Sequence, residues 1–382
     1  MELQTIFFYG VIANHFSGDD EVIAMRYSDL VDYSKLDPVK RAAIEGFSGL
    51  NKFPERLGFR IVAETLGEPA IAIDLPKQDF LLAFNVEGLG TKNMIADAMS
   101  SDKRGKGIKY YESIGKDCVA MSTNDLAAIG ADAFVYGDIL SSGDSNWFAD
   151  IEKSRAVLKG FKDAAEEIGM AIPCGETPTL KGVVHEGTID MAGASLGLIK
   201  PKGRLVYGQN LAAGDKIIGL ESSGIHSNGV SLARKVADQL PQGYFSELPS
   251  GKIFGEELLE STILYTGLLM DILEKCEVHY LSPITGHGWK KIMRAKKDFS
   301  YEIDFVPEPG ELFDFLAEKS GVSQKEAYFT WNMGIGYAVI APKESAEKIA
   351  GISEKNGIKS FELGAVKNGK KEVKIIPKNI VF

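Results

Sequence analysis

The chain contains 382 residues, more than a single hydrophobic core ordinarily holds, and this length predicts two domains. Hydrophobic residues make up 45% and charged residues 25%, a composition typical of a soluble globular protein and not of a disordered or membrane protein. The formal net charge is -10, and because nucleic-acid-binding proteins normally carry a basic surface, we expect no nucleic-acid partner.

The cysteines and the N-terminus indicate the compartment. Cys118, Cys174 and Cys276 are widely spaced and form no CxxC pair, which argues against a zinc knuckle or a disulfide framework and favours a reducing environment. The apolar residues 6–13 follow Glu2, where a signal peptide would carry basic residues. No run approaches the roughly 20 apolar residues that span a bilayer. We therefore expect a cytoplasmic protein with no membrane partner.

Apolar periodicity predicts the elements of the first half of the chain. They are, in order, a helix-like stretch at 41–46, a strand at 80–86, a helix at 110–129, a strand at 134–140, a helix at 150–168, a loop at 173–187 and a strand at 188–199. The two long helices are each followed by a glycine, Gly130 and Gly169, which is a common way for a helix to end.

A turn-rich stretch at 200–214, with Pro201, Gly203 and Gly208, predicts the domain boundary and divides the chain into residues 1–205 and 206–382. The predicted elements that follow are a strand at 216–220, helices at 230–240 and 258–275, and strands at 299–305, 336–340 and 360–366. Strands and helices alternate in both halves, so we expect two layered domains of the α/β (α+β) class.

The first loop with chemical potential is at residues 87–92 (EGLGTK), directly after a predicted strand. Glycines allow backbone N–H groups to converge on phosphate oxygens, and a carboxylate there could hold Mg²⁺ while Thr91 and Lys92 face phosphate. The loop lacks the spacing of a Walker A motif. An ordinary strand-to-helix turn with a solvated lysine is the alternative reading.

Two further loops carry acidic residues. Asn124 and Asp125 lie within a helical pattern although both residue types are poor in helix interiors, which suggests a metal or phosphate role or, alternatively, a capped helix break. Glu176 and Thr177 follow Gly175 in a turn, where a glutamate is usually only solvated. Taken alone, this third loop is a weak signal.

The fourth loop, residues 221–229 (ESSGIHSNG), follows a strand and opens a helix. Hydroxyls, an imidazole, an amide and two glycines at a helix N-terminus are typical of an anion site, whereas a plain N-cap would explain only one serine. A fifth loop at 283–288 (PITGHG) and a glycine-containing piece at 332–336 (NMGIG) complete the set.

In this order, the six pieces EGLGTK, NDL, CGET, SSGIHSNG, ITGHG and NMGIG resemble the patterns DGVGTK, NDL, GGET, SSGxHSNG, ITGGG and NxGxG of the aminoimidazole ribonucleotide (AIR) synthetase superfamily. The resemblance covers roughly two-thirds of the chain, and the first ~75 residues match poorly. It implies an N-terminal α/β domain that pairs across a two-fold axis into a dimer β-barrel, a C-terminal α/β domain, and clefts for ATP and substrate between them.

The resemblance also implies a reaction, in which ATP with Mg²⁺ phosphorylates the amide oxygen of a small phosphorylated substrate, formylglycinamidine ribonucleotide, so that a nitrogen can close the imidazole ring. His226, Lys92 and Asp125 are the implied catalytic residues, with His226 positioning the amide or acting as an acid or base near neutral pH. Glu87 and Asp125 are the implied metal ligands. The implied ATP and phosphate ligands are Gly88, Gly90, Thr91, Lys92, Asn124, Glu176 and Thr177. The implied substrate ligands are Ser223, His226, Ser227, Asn228, Gly229, Thr285, Gly286, His287 and Asn332.

Three positions depart from the family patterns. Glu87 replaces an aspartate, Cys174 replaces a glycine, and His287 replaces a glycine in the fifth loop. Two alternatives therefore stay open beside the AIR synthetase reaction. One is a paralogous ATP-dependent kinase or ligase acting on another small substrate, and the other is a non-catalytic nucleotide-binding dimer.

Overall fold

In the computed structural model, which describes residues 26–382, the strands form two sheets, one of six strands and one of seven. The apolar residues 6–13 lie outside the described residues. Within residues 26–382, no helix is both long enough and apolar enough to cross a membrane. Mixed sheets covered by helices define the α/β class, so the predicted fold class is confirmed.

The six-stranded sheet of the N-terminal half has the strand order β1-β2-β3-β6-β4-β5. Its strands are β1 (Arg60–Ile61), β2 (Ile71–Asp74), β3 (Leu81–Gly88), β4 (Asp132–Ser142), β5 (Ala171–Glu176) and β6 (Ile189–Ile199). The helices of this half are α1 (Tyr33–Phe47), α2 (Lys92–Ser101), α3 (Lys109–Ala127), α4 (Asn146–Ala149) and α5 (Ile151–Ile168). Helix α3 packs on the sheet beside β3 and β6, and α5 packs against α3.

A pair of glycines permits the close crossing of α3 and α5. A Cβ atom on Gly115 would lie 2.3 Å from the Val157 carbonyl oxygen, and one on Gly160 would lie 2.0 Å from that of Glu112. Because both distances are far below van der Waals contact, larger residues would push the helices apart. The crossing fixes α3, which carries Asn124 and Asp125 in its last turn.

The seven-stranded sheet of the C-terminal half has the order β13-β12-β9-β11-β7-β10-β8. Its strands are β7 (Lys216–Glu221), β8 (Tyr280–Pro283), β9 (Ser300–Ile303), β10 (Ile335–Ala341), β11 (Ser360–Lys367), β12 (Glu372–Ile375) and β13 (Ile380–Val381). The helices are α6 (Val230–Gln239), α7 (Phe254–Leu258), α8 (Thr266–Lys275), α9 (Glu311–Ser320), α10 (Gln324–Thr330) and α11 (Lys343–Lys355). The stretch 200–215 joins the two sheets.

The predicted helix at 258–275 is wrong over its first half. Helix α7 ends at Leu258 and α8 begins at Thr266, and residues 259–265, which we call the strap, contain no helix. Side chains of α3 explain why: Asp117 accepts a hydrogen bond from the Thr262 N–H at 2.5 Å, and Asn124 accepts one from the Tyr265 N–H at 2.8 Å. Since the backbone finds partners across the domain contact, apolar spacing alone misassigns this stretch.

The predicted loop at 173–187 is also partly wrong, because β5 continues through Glu176, parallel to β4 at the edge of the sheet. Most of its residues are exposed, so the alternation of buried and exposed residues that marks a strand is missing. The helix-like stretch at 41–46 lies inside α1, and none of the fifteen residues of α1 is buried. The other predicted strands and helices are confirmed within a few residues.

Candidate active site between the two sheets

The first loop connects β3 to α2 and is anchored at Leu89. The Leu89 N–H donates to the Met191 carbonyl at 2.8 Å, and the Leu89 side chain is buried, whereas Gly88 and Gly90 are exposed on either side of it. Gly90 has a φ of 76°, which favours glycine. Thr91 Oγ1 lies 3.5 Å from the hydroxyl of Ser231 in α6, so the first loop meets the helix that the fourth loop opens.

Lys92 points into the protein and not toward the open side of this loop. Its Nζ lies 2.7 Å from Asp117 Oδ2 and donates to the carbonyl of Glu260 in the strap at 2.7 Å. Both ionic side chains are fully buried. The structure thus places the Lys92 charge in the contact between the domains, contrary to the expectation that it faces phosphate. Such a pair is costly to break because either partner alone would be a buried, uncompensated charge.

The two expected metal ligands are brought together. The carboxyl groups of Glu87, near the end of β3, and Asp125, in the last turn of α3, lie next to each other, close enough for each to shift the pKa of the other. Burial raises the pKa of Asp125 to about 7, the charge of Lys291 opposes this shift, and the Glu87 carboxylate adds to it. Burial also raises the pKa of Glu87. Two adjacent carboxylates, one buried and one half-buried, are suited to bind a hard cation.

The cations that oppose this pair are Lys291 and Arg294, which the sequence analysis missed. They lie in, and directly after, the 3₁₀ helix Gly288–Met293 that follows the fifth loop. Lys291 donates a hydrogen bond to Thr285 Oγ1. Burial lowers the pKa of Lys291 to about 8, and Arg294 adds to this effect while Asp125 and Glu87 oppose it. In the sequence, both residues belong to the basic run after PITGHG, and such a run is typical of an exposed, solvated surface.

His226 in the fourth loop is a buried, neutral side chain. Its Nε2 accepts a hydrogen bond from the Ser223 N–H at 3.3 Å, and its backbone has a φ of 57°. Burial, assisted by the charge of Lys92, lowers the pKa of His226 to about 3, so the expectation that it titrates near neutral pH is wrong. A Cβ atom on Gly336 would lie 2.6 Å from the His226 Cε1, which explains the glycine in NMGIG.

Asn332 supports the fourth loop from beneath. Its Oδ1 accepts hydrogen bonds from Ser222 Oγ at 3.0 Å and the Gly334 N–H at 2.9 Å, and its Nδ2 donates to the Gly224 carbonyl at 2.8 Å. The side chain is buried, so the structure places Asn332 beneath the loop, where it holds Ser222 and Gly224. Ser223 is similarly occupied, because its hydroxyl donates to the Ser261 carbonyl at 2.5 Å.

Ser227 and Asn228 are the fourth-loop residues with free polar atoms. Ser227 Oγ and Asn228 Nδ2 are buried and have no hydrogen-bond partner among residues 26–382. A Cβ atom on Gly286 of the fifth loop would lie 3.8 Å from Asn228 Oδ1, so the fourth and fifth loops face each other. Gly229, with a φ of 71°, then starts α6. Buried polar atoms without partners are the best candidates for ligand contacts in this region.

The fifth loop is covered by the start of α1. The rings of His287 and Tyr33 stack with their centroids 3.8 Å apart, and His287 Nε2 lies 3.5 Å from Asp37 Oδ2. His287 has a φ of 71°, which is unusual for a residue other than glycine. Burial lowers its pKa. The imidazole that replaces the family glycine therefore packs on α1, a contact that the sequence analysis did not predict.

Glu176 and Thr177 lie apart from the other loops. The register Gly88↔Ala192↔Ile139↔Glu176 puts Glu176 three strands from the first loop, or about 14 Å at the usual strand spacing. Both residues are exposed, and the Thr177 N–H bonds the Glu176 carboxylate at 3.0 Å. Within one chain the structure does not bring the third loop to the Glu87–Asp125 pair.

The fold and this site define a two-domain protein of the AIR synthase related class. Residues 67–199 match the model of the AIR synthase related protein, N-terminal domain, and residues 212–376 match that of the C-terminal domain. The chain belongs to this family.

Relatives agree with this assignment, and a solved structure shares the fold. The phosphoribosylformylglycinamidine cyclo-ligase of Methanosarcina barkeri is 34% identical over 332 residues, which cover 86% of this chain and 92% of the relative. The enzyme of the same name from Methanosarcina mazei is 37% identical over 278 residues, 72% of this chain and 78% of the relative. The structure of AaThiL complexed with AMPPCP and TMP shares the fold, with a TM-score of 0.58 and 15% identity over 94% of this chain and 97% of that one.

Proposed function

We propose that this chain is an ATP-dependent ligase that converts formylglycinamidine ribonucleotide to aminoimidazole ribonucleotide, a step of purine biosynthesis, in the cytoplasm. The observation that carries the proposal is the adjacent Glu87–Asp125 carboxyl pair, located beside the exposed backbone of Gly88 and Gly90 at the end of β3. Relatives named for this reaction match most of the chain, which supports the same assignment.

Two carboxylates and a glycine loop fit Mg²⁺ bound to a triphosphate. In the described part of the chain, no group of three or more His, Cys, Asp or Glu side chains could hold a metal ion. Magnesium usually binds through one or two carboxylates and completes its shell with water and phosphate oxygens, so Glu87 and Asp125 suffice. When bound, the ion would neutralise charge on the phosphates. The N–H groups of Gly90 and Thr91 would bind phosphate oxygens, whereas the Leu89 N–H is already used by the Met191 carbonyl.

The chemical step is the transfer of the terminal phosphoryl group to the amide oxygen of the substrate. This oxygen is a poor leaving group, and once phosphorylated it leaves as phosphate when the attacking nitrogen closes the ring. The protein's task is to position the reactants and to balance charge. Ser227 and Asn228 would bind the substrate with their unpartnered atoms, and His226 and Asn332 would hold the loop that carries them.

The reaction predicts a specific measurement. We expect ADP release that depends on formylglycinamidine ribonucleotide and that is lost in Asp125→Ala. Asp314→Ala is the matched control, because this aspartate is exposed on α9. Magnesium-dependent ATP binding without turnover of this substrate would instead identify a paralogue with another substrate. Absence of any ATP effect on the melting temperature would exclude both enzyme functions.

We also propose that the chain works as a homodimer formed through the outer face of the six-stranded sheet. Four large apolar side chains project from β3 and β4 and are exposed, namely Phe84, Val86, Phe134 and Ile139. The exposed fraction of Val86 is 60%. An apolar face of this kind usually marks an interface. In the assembled pair, Glu176 at the end of the edge strand β5 and Thr177 directly after it would act at the nucleotide. Phe84→Asp should yield monomers in size-exclusion chromatography with light scattering, whereas Phe305→Asp on the other domain should leave the dimer intact.

A paralogous reaction is the second candidate, and one observation favours it. His287 and Tyr33 fill the space beside Gly286 where the family pattern has only glycines. Their bulk would favour a different substrate shape if α1 remains in place during turnover.

A further inference from the structure

Two cations on the C-terminal side of the cleft have no role in the reaction described so far. Lys291 and Arg294 are one turn apart on the 3₁₀ helix Gly288–Met293 and its cap, so their side chains emerge on the same side. The helix is fixed firmly, because Trp289 and Ile292 are fully buried and Ser282 Oγ donates to the Lys291 carbonyl at 3.0 Å. The positions of both cations are therefore set by the fold.

This helix lies opposite the carboxylate pair. Tyr337 in β10 donates its hydroxyl proton to the Asn124 carbonyl at 2.9 Å, next to Asp125. Tyr337 also pairs with Pro283 at the end of β8, from which the fifth loop leads to the helix. The charges of Lys291 and Arg294 act on both Glu87 and Asp125. Two positive and two negative side chains thus lie within electrostatic range of each other across the domain boundary.

The opposed side chains nevertheless do not form ion pairs with each other. Within residues 26–382, no carboxylate oxygen lies within 4.0 Å of a side-chain nitrogen of Lys291 or Arg294. Lys291 Nζ uses one proton on Thr285, and Arg294 Nη1 is buried and has no hydrogen-bond partner among these residues. A buried guanidinium nitrogen without an acceptor is unfavourable, and an anion between the two groups would satisfy it. The arrangement is that of a site prepared for phosphate.

We propose that Lys291 and Arg294 bind phosphate oxygens opposite Glu87 and Asp125, so that the phosphoryl group in transfer lies between the two pairs. This inference rests on the proposed function. In the step, the bond from the terminal phosphorus to the bridging oxygen breaks, its electron pair stays on ADP, and a bond to the substrate amide oxygen forms. The two cations balance the charge that spreads over the phosphoryl oxygens, and neither gives up a proton.

Lys291 and Arg294 could instead bind the 5′-phosphate of the substrate. Binding measurements distinguish this phosphate from the transferring phosphoryl group of ATP. For Lys291→Met and Arg294→Gln, we expect calorimetry with Mg²⁺ to show affinity for AMPPNP reduced at least about tenfold and affinity for ADP changed less than about twofold. We expect kcat for ADP formation to fall about 100-fold or more. If the 5′-phosphate is the ligand instead, the KM for formylglycinamidine ribonucleotide rises and the AMPPNP-to-ADP ratio stays the same.

Lys290→Met is the matched control, because this neighbouring lysine is exposed and should retain every value of the wild type. Lys291→Arg should recover part of the AMPPNP affinity, which a purely structural role would not predict. If Lys291→Met does not fold, Arg294→Gln carries the same test. Folded variants that bind AMPPNP and ribonucleotide and turn over like the wild type would overturn the inference and leave the proposed function intact. A wild type that binds no nucleotide would overturn both.

Discussion

Two lysines of this chain face buried carboxylates, and they do so in opposite ways. Lys92 lies 2.7 Å from Asp117, and each partner also bonds a backbone group of the strap. Lys291 faces Glu87 and Asp125 from the other domain without an ion pair at the 4.0 Å limit among residues 26–382. The first cluster is closed by an ion pair and two hydrogen bonds to the strap, and the second is open.

The difference separates two uses of buried charge. A closed pair removes both charges from water and repays that cost only through its own contacts, so it contributes to how the domains are held together. An open set of opposed charges leaves contacts unmade, which a binding site can do because a ligand later completes them. Geometry therefore distinguishes a lysine that holds the fold from one that awaits a ligand, although both belong to motif loops or their flanks.

The largest expected effect on stability comes from breaking the Lys92–Asp117 ion pair. Lys92→Met leaves the Asp117 carboxylate buried and unpaired, which should lower the free energy of unfolding by about 3–5 kcal/mol. Lys291→Met, at the open cluster, should lower it by less than about 1 kcal/mol, since Glu87 and Asp125 can share a proton. Denaturant melts of the two ligand-free variants measure both values.

A double variant is the control for this comparison. Lys92→Met with Asp117→Leu removes both charges and should regain much of the lost stability. Equal destabilisation by Lys92→Met and Lys291→Met would contradict the distinction between a closed and an open cluster.

Asn332 belongs with the closed cluster, because both ends of its side-chain amide are bonded. Asn332→Ala should cost about 2–3 kcal/mol of stability through the buried groups it leaves unpaired. The substrate KM should rise while ADP affinity stays the same, since the fourth loop alone loses its support. Gln324→Ala at the start of α10 is a suitable control, because this side chain is exposed. A similar loss of ADP affinity in Asn332→Ala would show that the loop does not act separately.

His226 adds a pH test of the same buried region. Its folded pKa of about 3 lies below the unfolded value of 6.5, so protonation favours the unfolded chain. The stability it contributes is fully present above pH 6.5 and is lost as the pH falls toward 3, so that about 3 kcal/mol is already lost at pH 4.5. His226→Asn suits the positive φ and should lose less stability over that range. Parallel acid profiles of wild type and variant would contradict this.

The sequence predicted the parts of this site that local patterns encode. Strands that end in glycine loops placed Gly88, Gly90 and Glu87 correctly, because an apolar run and the turn after it are local features. Most elements were found for the same reason. The family patterns also identified Ser227 and Asn228 in the fourth loop and Asp125 in the last turn of α3.

Contacts between distant segments were not predictable in this way. Whether Lys92 faces solvent or Asp117 depends on a residue 25 positions later and on the strap, more than 140 positions further along the chain. The apparent helix at 259–265 failed because α3 side chains bind its backbone. Lys291 and Arg294 resembled a solvated basic run until the fold placed them opposite Asp125. In each of these cases the structure depends on which distant residue a group contacts, and the residue type alone does not reveal that contact.

The smallest expected effect concerns His287, which contacts α1 through its ring stack on Tyr33 and a 3.5 Å approach to Asp37, both only partly buried. His287→Gly relieves the positive φ and removes the stacking on Tyr33, two changes of about 1 kcal/mol each with opposite signs, so total stability should change by less than about 1 kcal/mol. Because no residue of α1 is buried, this contact is its main attachment to the fifth loop. Hydrogen exchange over residues 33–47 should therefore accelerate in the variant, and in Tyr33→Ala as well, while exchange in α3 stays the same. Unchanged exchange in α1 would mean that the helix is held elsewhere and that His287 serves the substrate loop alone.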